Sequence, residues 1–256
     1  MTDQLSLRLD AELPNPPTTL RPMLARTAAA PFDAADHLFE PSWGGVRALA
    51  VIGPGERPGS GDVRLIGLDG AAIEPVPAEL AGLAARVAAR SAVLDGELVV
   101  VDARGRTDGP ALEARLGGRP ARSIAYLAFD ILDLDGRALL TLPLERRREA
   151  LRRVLRPGDE VVAVPAIQTE GRALHAAVVA QGLAGTMARA RNGPYLPGTR
   201  SRLWRFIAAS AATADGEAAE PEEPTAVEST TPDAGPANAP VLALIRRLPL
   251  GLDEPV

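Results

Sequence analysis

The sequence predicts a mixed fold of strands and helices, and three observations predict it. Between His37 and Ala208 the pattern switches repeatedly between strand-like runs and helical spacing. Two short apolar runs, 47–52 and 63–68, flank a stretch rich in glycine and proline at 53–61 and read as paired strands. A hydrophobic fraction of 46% beside a charged fraction of 24%, in 256 residues, is that of an ordinary globular protein with enough apolar surface for one or two domains.

The elements follow in order. Residues 1–36 open on a polar lead broken by Pro14, Pro16 and Pro17 and read as irregular. After the strands at 47–52 and 63–68, residues 77–90 place Leu80, Leu83, Ala84 and Val87 on one face at helical spacing, which predicts a helix. Residues 93–102 and 124–134 are β-rich runs. Inside the first, Asp95-Gly96 also has the chemistry of a hairpin turn, and Asp135-Gly136 after the second reads as a turn. Residues 144–155 form an amphipathic, arginine-rich helix, 161–167 a strand, 172–181 a helix and 184–191 a strand. The segment 209–240 is rich in Ala, Glu, Pro and Thr and reads as a disordered acidic linker. The last segment, 241–256, is short and apolar enough to dock as a helix or to bind a protein partner.

Absences narrow the chemistry. The chain has no cysteine, two histidines (His37 and His175) and no lysine, so all 28 basic residues are arginines. A disulfide framework, a thiolate metal site, a cysteine nucleophile, a Schiff-base lysine and a P-loop lysine are therefore excluded. The two histidines stand far apart in sequence, and the Asp130, Asp133 and Asp135 group reads as strand and turn; no metal site is expected. Charge is uneven. From residue 209 onward nine acids face two arginines, a balance of −7, whereas 1–208 carry 26 arginines against 24 acids. With no apolar leader and no run of about 20 apolar residues, a cytoplasmic location and no membrane partner are expected.

The residues from Phe39, Phe-Glu-Pro-Ser-Trp-Gly-Gly-Val-Arg, resemble the nucleotidyltransferase signature of ATP-dependent DNA ligases, Glu-x-Lys-x-Asp-Gly-x-Arg. Four further stretches resemble that family's motifs in its own order: Val93-Leu-Asp-Gly-Glu-Leu-Val-Val, Ala125-Tyr-Leu-Ala-Phe-Asp, Gly182-Leu-Ala-Gly-Thr-Met-Ala-Arg and Pro194-Tyr-Leu-Pro-Gly-Thr-Arg-Ser-Arg-Leu-Trp. Leu142-Pro-Leu-Glu-Arg-Arg-Arg resembles the helix between the third and fourth. The resemblance implies an α+β domain of DNA-ligase nucleotidyltransferase type over residues 37–208, with antiparallel sheets, flanking helices and a nucleotide cleft between them. It also implies that the family's usual OB-fold domain is missing, since 209–256 are too few and too polar for a five-stranded barrel.

The departures from the pattern decide the chemistry. The family's lysine attacks the α-phosphate of ATP and becomes a lysyl-AMP; Ser42 stands at that position, with no base adjacent except His37. Gly44 replaces the signature aspartate. Ala184 replaces the fourth motif's metal-side glutamate, and Arg189 its lysine. Phe206 and Ala208 replace the two lysines of the last motif, and Leu68 an arginine of the motif after the signature. Phosphoryl-type transfer depends on cations that neutralise developing charge, and one such interaction is typically worth about 10²–10³ in rate. With no lysine anywhere, this chain cannot form a lysyl-AMP.

What is retained lies on the nucleoside side. By the resemblance, Glu40 matches an adenine-contacting glutamate, Arg47 the arginine closing the signature, Glu97 a ribose- or metal-side glutamate and Phe129 an aromatic of the third motif. These residues and Arg189 are candidates for non-covalent ATP or AMP binding; a bound Mg ion is doubtful. Packing and strand pairing account equally for Glu97, and better for Phe129, which lies in an apolar run. Arg146, Arg147, Arg191, Arg200 and Arg202 are candidates for nicked or duplex DNA, through bidentate phosphate contacts and counterion release; a solvated arginine face is the alternative. Three activities follow. The chain acts by nucleotide or nicked-DNA binding without adenylation, or as a scaffold recruiting a protein through its C-terminal segment, or by joining nicks that are already adenylated.

Overall fold

The computed structural model describes residues 20–209 and the single residue Ala243. The remainder of the 209–240 linker and of the 241–256 segment, and residues 1–19 of the lead, lie outside the described residues. In chain order the elements are β1 (Leu24–Thr27), β2 (Ala34–Ser42), β3 (Val46–Ile52), β4 (Val63–Ile66), β5 (Ala92–Val99), α1 (Gly109–Leu116), β6 (Ala125–Leu134) and β7 (Arg137–Ala138). They continue through α2 (Leu144–Val154), β8 (Val161–Ala163), β9 (Ile167–Thr169), α3 (Gly171–Ala180), β10 (Gly185–Ala190) and β11 (Arg200–Ala208).

Two sheets form. One has the order β1-β11-β10-β2-β9; the other runs β4-β3-β5-β6-β7, with β8 added beside β6. Most pairs are antiparallel, as the resemblance implies, but β1 with β11 and β6 with β8 are parallel. Strand periodicity explains how the second sheet is buried on both faces. Leu49 and Val51 of β3 point to the core shared with Phe39, Phe129 and Trp204 of the site. Their neighbours Ala48, Ala50 and Ile52 point to a second core with Leu80, Leu83, Leu112 and Leu151, which α1, α2 and the turns before β5 supply. Helix α1 begins at a sequence signal the apolar pattern does not carry: the Asp108 side chain accepts from the Ala111 N–H at 3.0 Å, and Pro110 sits in the first turn. Among the described residues no separate five-stranded barrel accompanies the two sheets, and no helix is long and apolar enough to cross a membrane.

Four expectations are corrected. The lead is not irregular throughout: β1 pairs with β11, Met23 is fully buried, and β2 starts at Ala34, ahead of His37. Residues 77–90 are two short 3-10 turns, Ala78–Leu80 and Leu83–Arg86, separated at Gly82. Their i, i+3 repeat buries Leu80 and Leu83 as a helix would, so apolar spacing alone does not separate the two. The run 161–167 divides into β8 and β9, which belong to different sheets. Asp95-Gly96 is no hairpin turn but the middle of β5, paired with β3 and β6. Gly96 is there because a Cβ would lie 2.4 Å from the Tyr126 ring and 2.7 Å from the Leu127 carbonyl. The turn at Asp135-Gly136 does form, with φ of 50° and 74° joining β6 to β7.

Candidate functional site

The strands carrying the motif residues converge on one cleft. β2 supplies Glu40 and Ser42, β3 Arg47, β5 Glu97, β6 Phe129, and β10 Met187 and Arg189; together they line a cavity of about 90 Å³. Register explains the grouping. Met187 lies opposite Glu40 and Gly185 opposite Ser42 across β2 and β10, while Arg47 lies opposite Glu97 across β3 and β5. The structure thus brings Glu40, Arg47, Glu97, Phe129 and Arg189 around one space.

That space is dominated by the protein's own charges. Glu40, 1% exposed, is held from both sides: Arg148 Nη1 donates to Oε1, and Arg189 Nη1 donates to Oε2 at 2.6 Å. The Arg189 guanidinium lies 3.8 Å from the centroid of the Phe129 ring and 4.4 Å from that of Trp204. Burial holds Arg189 below the ordinary arginine range, with Glu40 pulling the other way, and its Nε has no partner among the described residues. Arg47 also reaches both rings, at 4.5 and 5.0 Å, and its Nε and Nη2 donate to the two oxygens of Asp95 at 2.6 Å. Burial disfavours the Arg47 charge, but Asp95 outweighs it and raises the group above its usual value. Asp95 accepts a third bond, 2.7 Å long, from the Tyr195 hydroxyl, which in turn accepts from the Met23 N–H at 2.8 Å. Glu97 accepts from the Gly45 N–H, yet burial pushes its carboxyl above the usual carboxylate range.

A second buried pair lies behind the first. Arg147 and Asp130 are both fully buried and joined by two bonds, Nε at 2.9 Å and Nη2 at 2.8 Å. Burial pushes Asp130 up, against the pull of Arg147. The sequence makes Arg147 a candidate for DNA contact, and the structure corrects this: a guanidinium with no exposed surface cannot meet a phosphate. Sequence reasoning also overlooks Arg148, Asp95, Tyr195 and Trp204. A signal for the first was available. Leu144, Arg147, Arg148, Leu151 and Val154 share one stripe of α2 at helical spacing, and all five are buried. Two arginines in an apolar stripe demand buried acids opposite them.

The remaining candidates scatter. Arg146 is exposed and pairs with Glu149 at 3.0 Å. Arg191 pairs with Glu145 at 2.9 Å. Arg200 is exposed, and its Nη1 donates to the Ala25 carbonyl at 2.7 Å. Arg202 is exposed without an ion pair among the described residues. His37 is buried, hydrogen-bonded to Asp36 at 2.7 Å and packed edge-on to Phe32, so it offers no base to Ser42. His175 contacts Thr186, and burial lowers its pKa.

The degenerate positions repack. Gly44, at φ +77°, is so close to Ala184 that a Cβ at Gly44 would lie 2.8 Å from the Ala184 Cβ. Phe206 pairs with Met187 across β10 and β11, and its ring would meet a Cβ at Gly185 within 3 Å. Ala208 pairs with Gly185. Where the resemblance places two carboxylates and two ammonium groups, two small residues meet and a ring packs on glycine. Among the described residues no three His, Asp or Glu side chains are grouped to hold a metal ion. The residues present do not fit an ATP–metal complex: both oxygens of Glu40 are engaged, the Phe129 ring carries two guanidinium groups, and 90 Å³ is well below the roughly 300–1,000 Å³ of small-molecule sites.

Residues 22–206 match the family model described as the ATP dependent DNA ligase domain. Over 186 residues the chain is 33% identical to the multifunctional non-homologous end joining DNA repair protein LigD of Mycobacterium tuberculosis (strain H37Rv), covering 72% of this chain and 23% of that protein. DNA ligase C1 of Mycolicibacterium smegmatis is 32% identical over 207 residues, 72% of this chain and 55% of its own length. A solved structure of mycobacterial DNA ligase D complexed with ATP and MES superposes with a TM-score of 0.63 at 30% identity, over 75% of this chain and 60% of that one. The chain therefore spans between about a quarter and just over half the length of these curated relatives.

Proposed function

The chain belongs to the ATP-dependent DNA ligase family, in the lineage of the LigD end-joining proteins, and from that premise we propose that it is a non-adenylating member that acts by binding DNA. One observation carries this reading: Glu40, which the resemblance assigns to adenine, and the Phe129 ring, the third-motif aromatic, are engaged by Arg148 and Arg189 of the chain itself. The cleft holds its sheets together as a buried charge network, and the nucleotide is dispensable. Loss of the nucleophile at Ser42 is then one of several coordinated losses, with Gly44, Ala184, Phe206 and Ala208. Unpaired arginines on the surface supply affinity for the phosphate backbone.

The test has two parts. The Ser42→Lys variant incubated with radiolabelled ATP and Mg yields no covalent AMP, because Phe206 and Ala208 leave the pyrophosphate side without cations; a labelled band would overturn the reading. The unmodified chain, titrated by fluorescence anisotropy against nicked and intact duplex DNA at two salt concentrations, binds with a steep salt slope and without any effect of added ATP. Absence of DNA binding would transfer the function to a scaffold role through the C-terminal segment, and sealing of a pre-adenylated nick would restore catalysis.

A further inference from the structure

The parallel pairing of β1 with β11 slips in register between Ala25 and Arg26, so Ala25 faces Ser201 while Arg26 faces Arg205. A regular strand would send Arg202 and Arg205 to opposite faces, being three residues apart. The irregularity instead turns both into one open groove beside Arg26, and Arg205 Nε donates to the Arg202 carbonyl at 3.4 Å. The groove encloses about 590 Å³, several times the cleft. Its far wall is the run Ala28–Ala30, whose side chains are too small to screen the backbone. The Ala28 N–H donates to the Phe206 carbonyl, but among the described residues those of Ala29 and Ala30 have no backbone acceptor.

The arginines of this groove differ from the chain's ion-paired arginines. Eleven others are ion-paired with Asp or Glu. Arg26 and Arg202 are exposed and have neither an ion pair nor a side-chain hydrogen bond among the described residues, and Arg205 lies over the Phe32 ring at 5.2 Å. Asp36 is within electrostatic reach of Arg205, but its carboxylate holds His37 at 2.7 Å. Three arginines thus line one groove with no ion pair among the described residues, and a polyanion would neutralise them.

We propose that this groove binds the phosphate backbone of duplex DNA, with Arg26 and Arg202 as the phosphate-contacting residues. The proposal rests on the DNA-binding reading above and assigns that binding to an edge of the first sheet, away from the ion-paired cleft. Guanidinium groups suit phosphate oxygens because two N–H donors meet two acceptors at once.

The test is an anisotropy titration of the full chain with a labelled duplex across a salt series. Arg26→Ala/Arg202→Ala, both exposed and without an ion pair among the described residues, folds normally, as a thermal melt will show. It binds at least tenfold more weakly at low salt, and its log–log salt slope is shallower by about 2, one for each phosphate no longer neutralised. Arg152→Ala/Arg153→Ala, which removes equal charge from the exposed face of α2, keeps a slope close to that of the parent chain. Equal weakening in the two variants would mean diffuse charge attraction and would overturn the groove. A parent chain that binds DNA while the groove variant matches it would overturn the groove alone; a parent chain that does not bind would overturn the function as well. Competition with inorganic pyrophosphate at constant ionic strength separates a strand from a free phosphoanion: displacement of DNA at micromolar pyrophosphate would overturn the nucleic-acid assignment.

Discussion

The cleft and the edge groove use the same side chain in opposite ways. In and behind the cleft, Arg47, Arg147, Arg148 and Arg189 are buried or nearly so, and each faces a carboxylate of a neighbouring strand. In the groove, Arg26 and Arg202 are exposed, with no acid in contact among the described residues. Charge buried in a low-dielectric interior must be paired, so the cleft arginines belong to the framework of the fold. Charge left unpaired at a surface costs little and is available to a ligand. An arginine count alone does not show which guanidinium groups are available to a ligand; pairing removes the cleft arginines from that set.

The sharpest way to break that comparison is at the deepest pair. Asp130→Asn removes the charge opposite Arg147 while keeping the side chain's size, and leaves a buried guanidinium uncompensated. Urea denaturation should show a loss of about 3–5 kcal/mol, a large share of the ~5–15 kcal/mol that holds a domain of this kind. The double change Asp130→Leu/Arg147→Met should recover most of it, since removing both charges also removes their desolvation cost. A loss under about 1 kcal/mol for the single variant would mean that water or rearrangement reaches the pair, and the cleft arginines would no longer be set apart from those of the groove by their pairing.

The sequence made the strands of the second sheet legible because both of their faces are apolar, and the motif order placed Glu40, Arg47, Glu97 and Phe129 at one cleft. What it concealed is mostly long-range. β1 is four residues long and owes its existence to β11, more than 170 residues away, so local pattern cannot announce it. The same pairing creates the groove, which draws on residues 26–32 and 202–205. The burial of Arg147 and Arg148 was legible in principle from their spacing with Leu144 and Leu151. In a chain whose every basic residue is arginine, that spacing is masked by the many arginines at exposed positions such as Arg152 and Arg153. The 77–90 stretch failed for a different reason, since Gly82 divides it and 3-10 turns satisfy the same apolar spacing.

A subtler probe acts on Glu97, which has no direct cationic partner among the described residues. Burial raises the Glu97 carboxyl above its ordinary 4.5, so the folded chain holds that proton more tightly than the unfolded chain does. Its contribution to stability is complete below about pH 4.5 and is lost as pH rises through the folded value. Glu97→Gln cannot titrate but still offers an oxygen to the Gly45 N–H. Relative to the parent chain, the variant should therefore gain stability as pH climbs from about 4 to 8, followed by denaturant midpoints at each pH. A difference that stays flat, or that tilts toward the parent chain, would show that Arg47 and the backbone donors hold Glu97 ionised, and the cleft would then carry one more anion.

The smallest effect is expected at Arg146, which sharpens the boundary between the two populations because it is exposed and yet paired. Its guanidinium meets Glu149 one turn along α2 at 3.0 Å, with both side chains largely in water. Such pairs are worth at most a few tenths of a kcal/mol, so Arg146→Ala should lower the stability read from urea denaturation by less than about 0.5 kcal/mol. If partnering is what withholds an arginine from DNA, the same variant should also leave the DNA salt slope almost unchanged, unlike the loss of Arg26 and Arg202. A slope reduced by a full unit would show that a weak surface partner does not withhold an arginine, and availability would have to be judged from the strength of the pair as well as its presence.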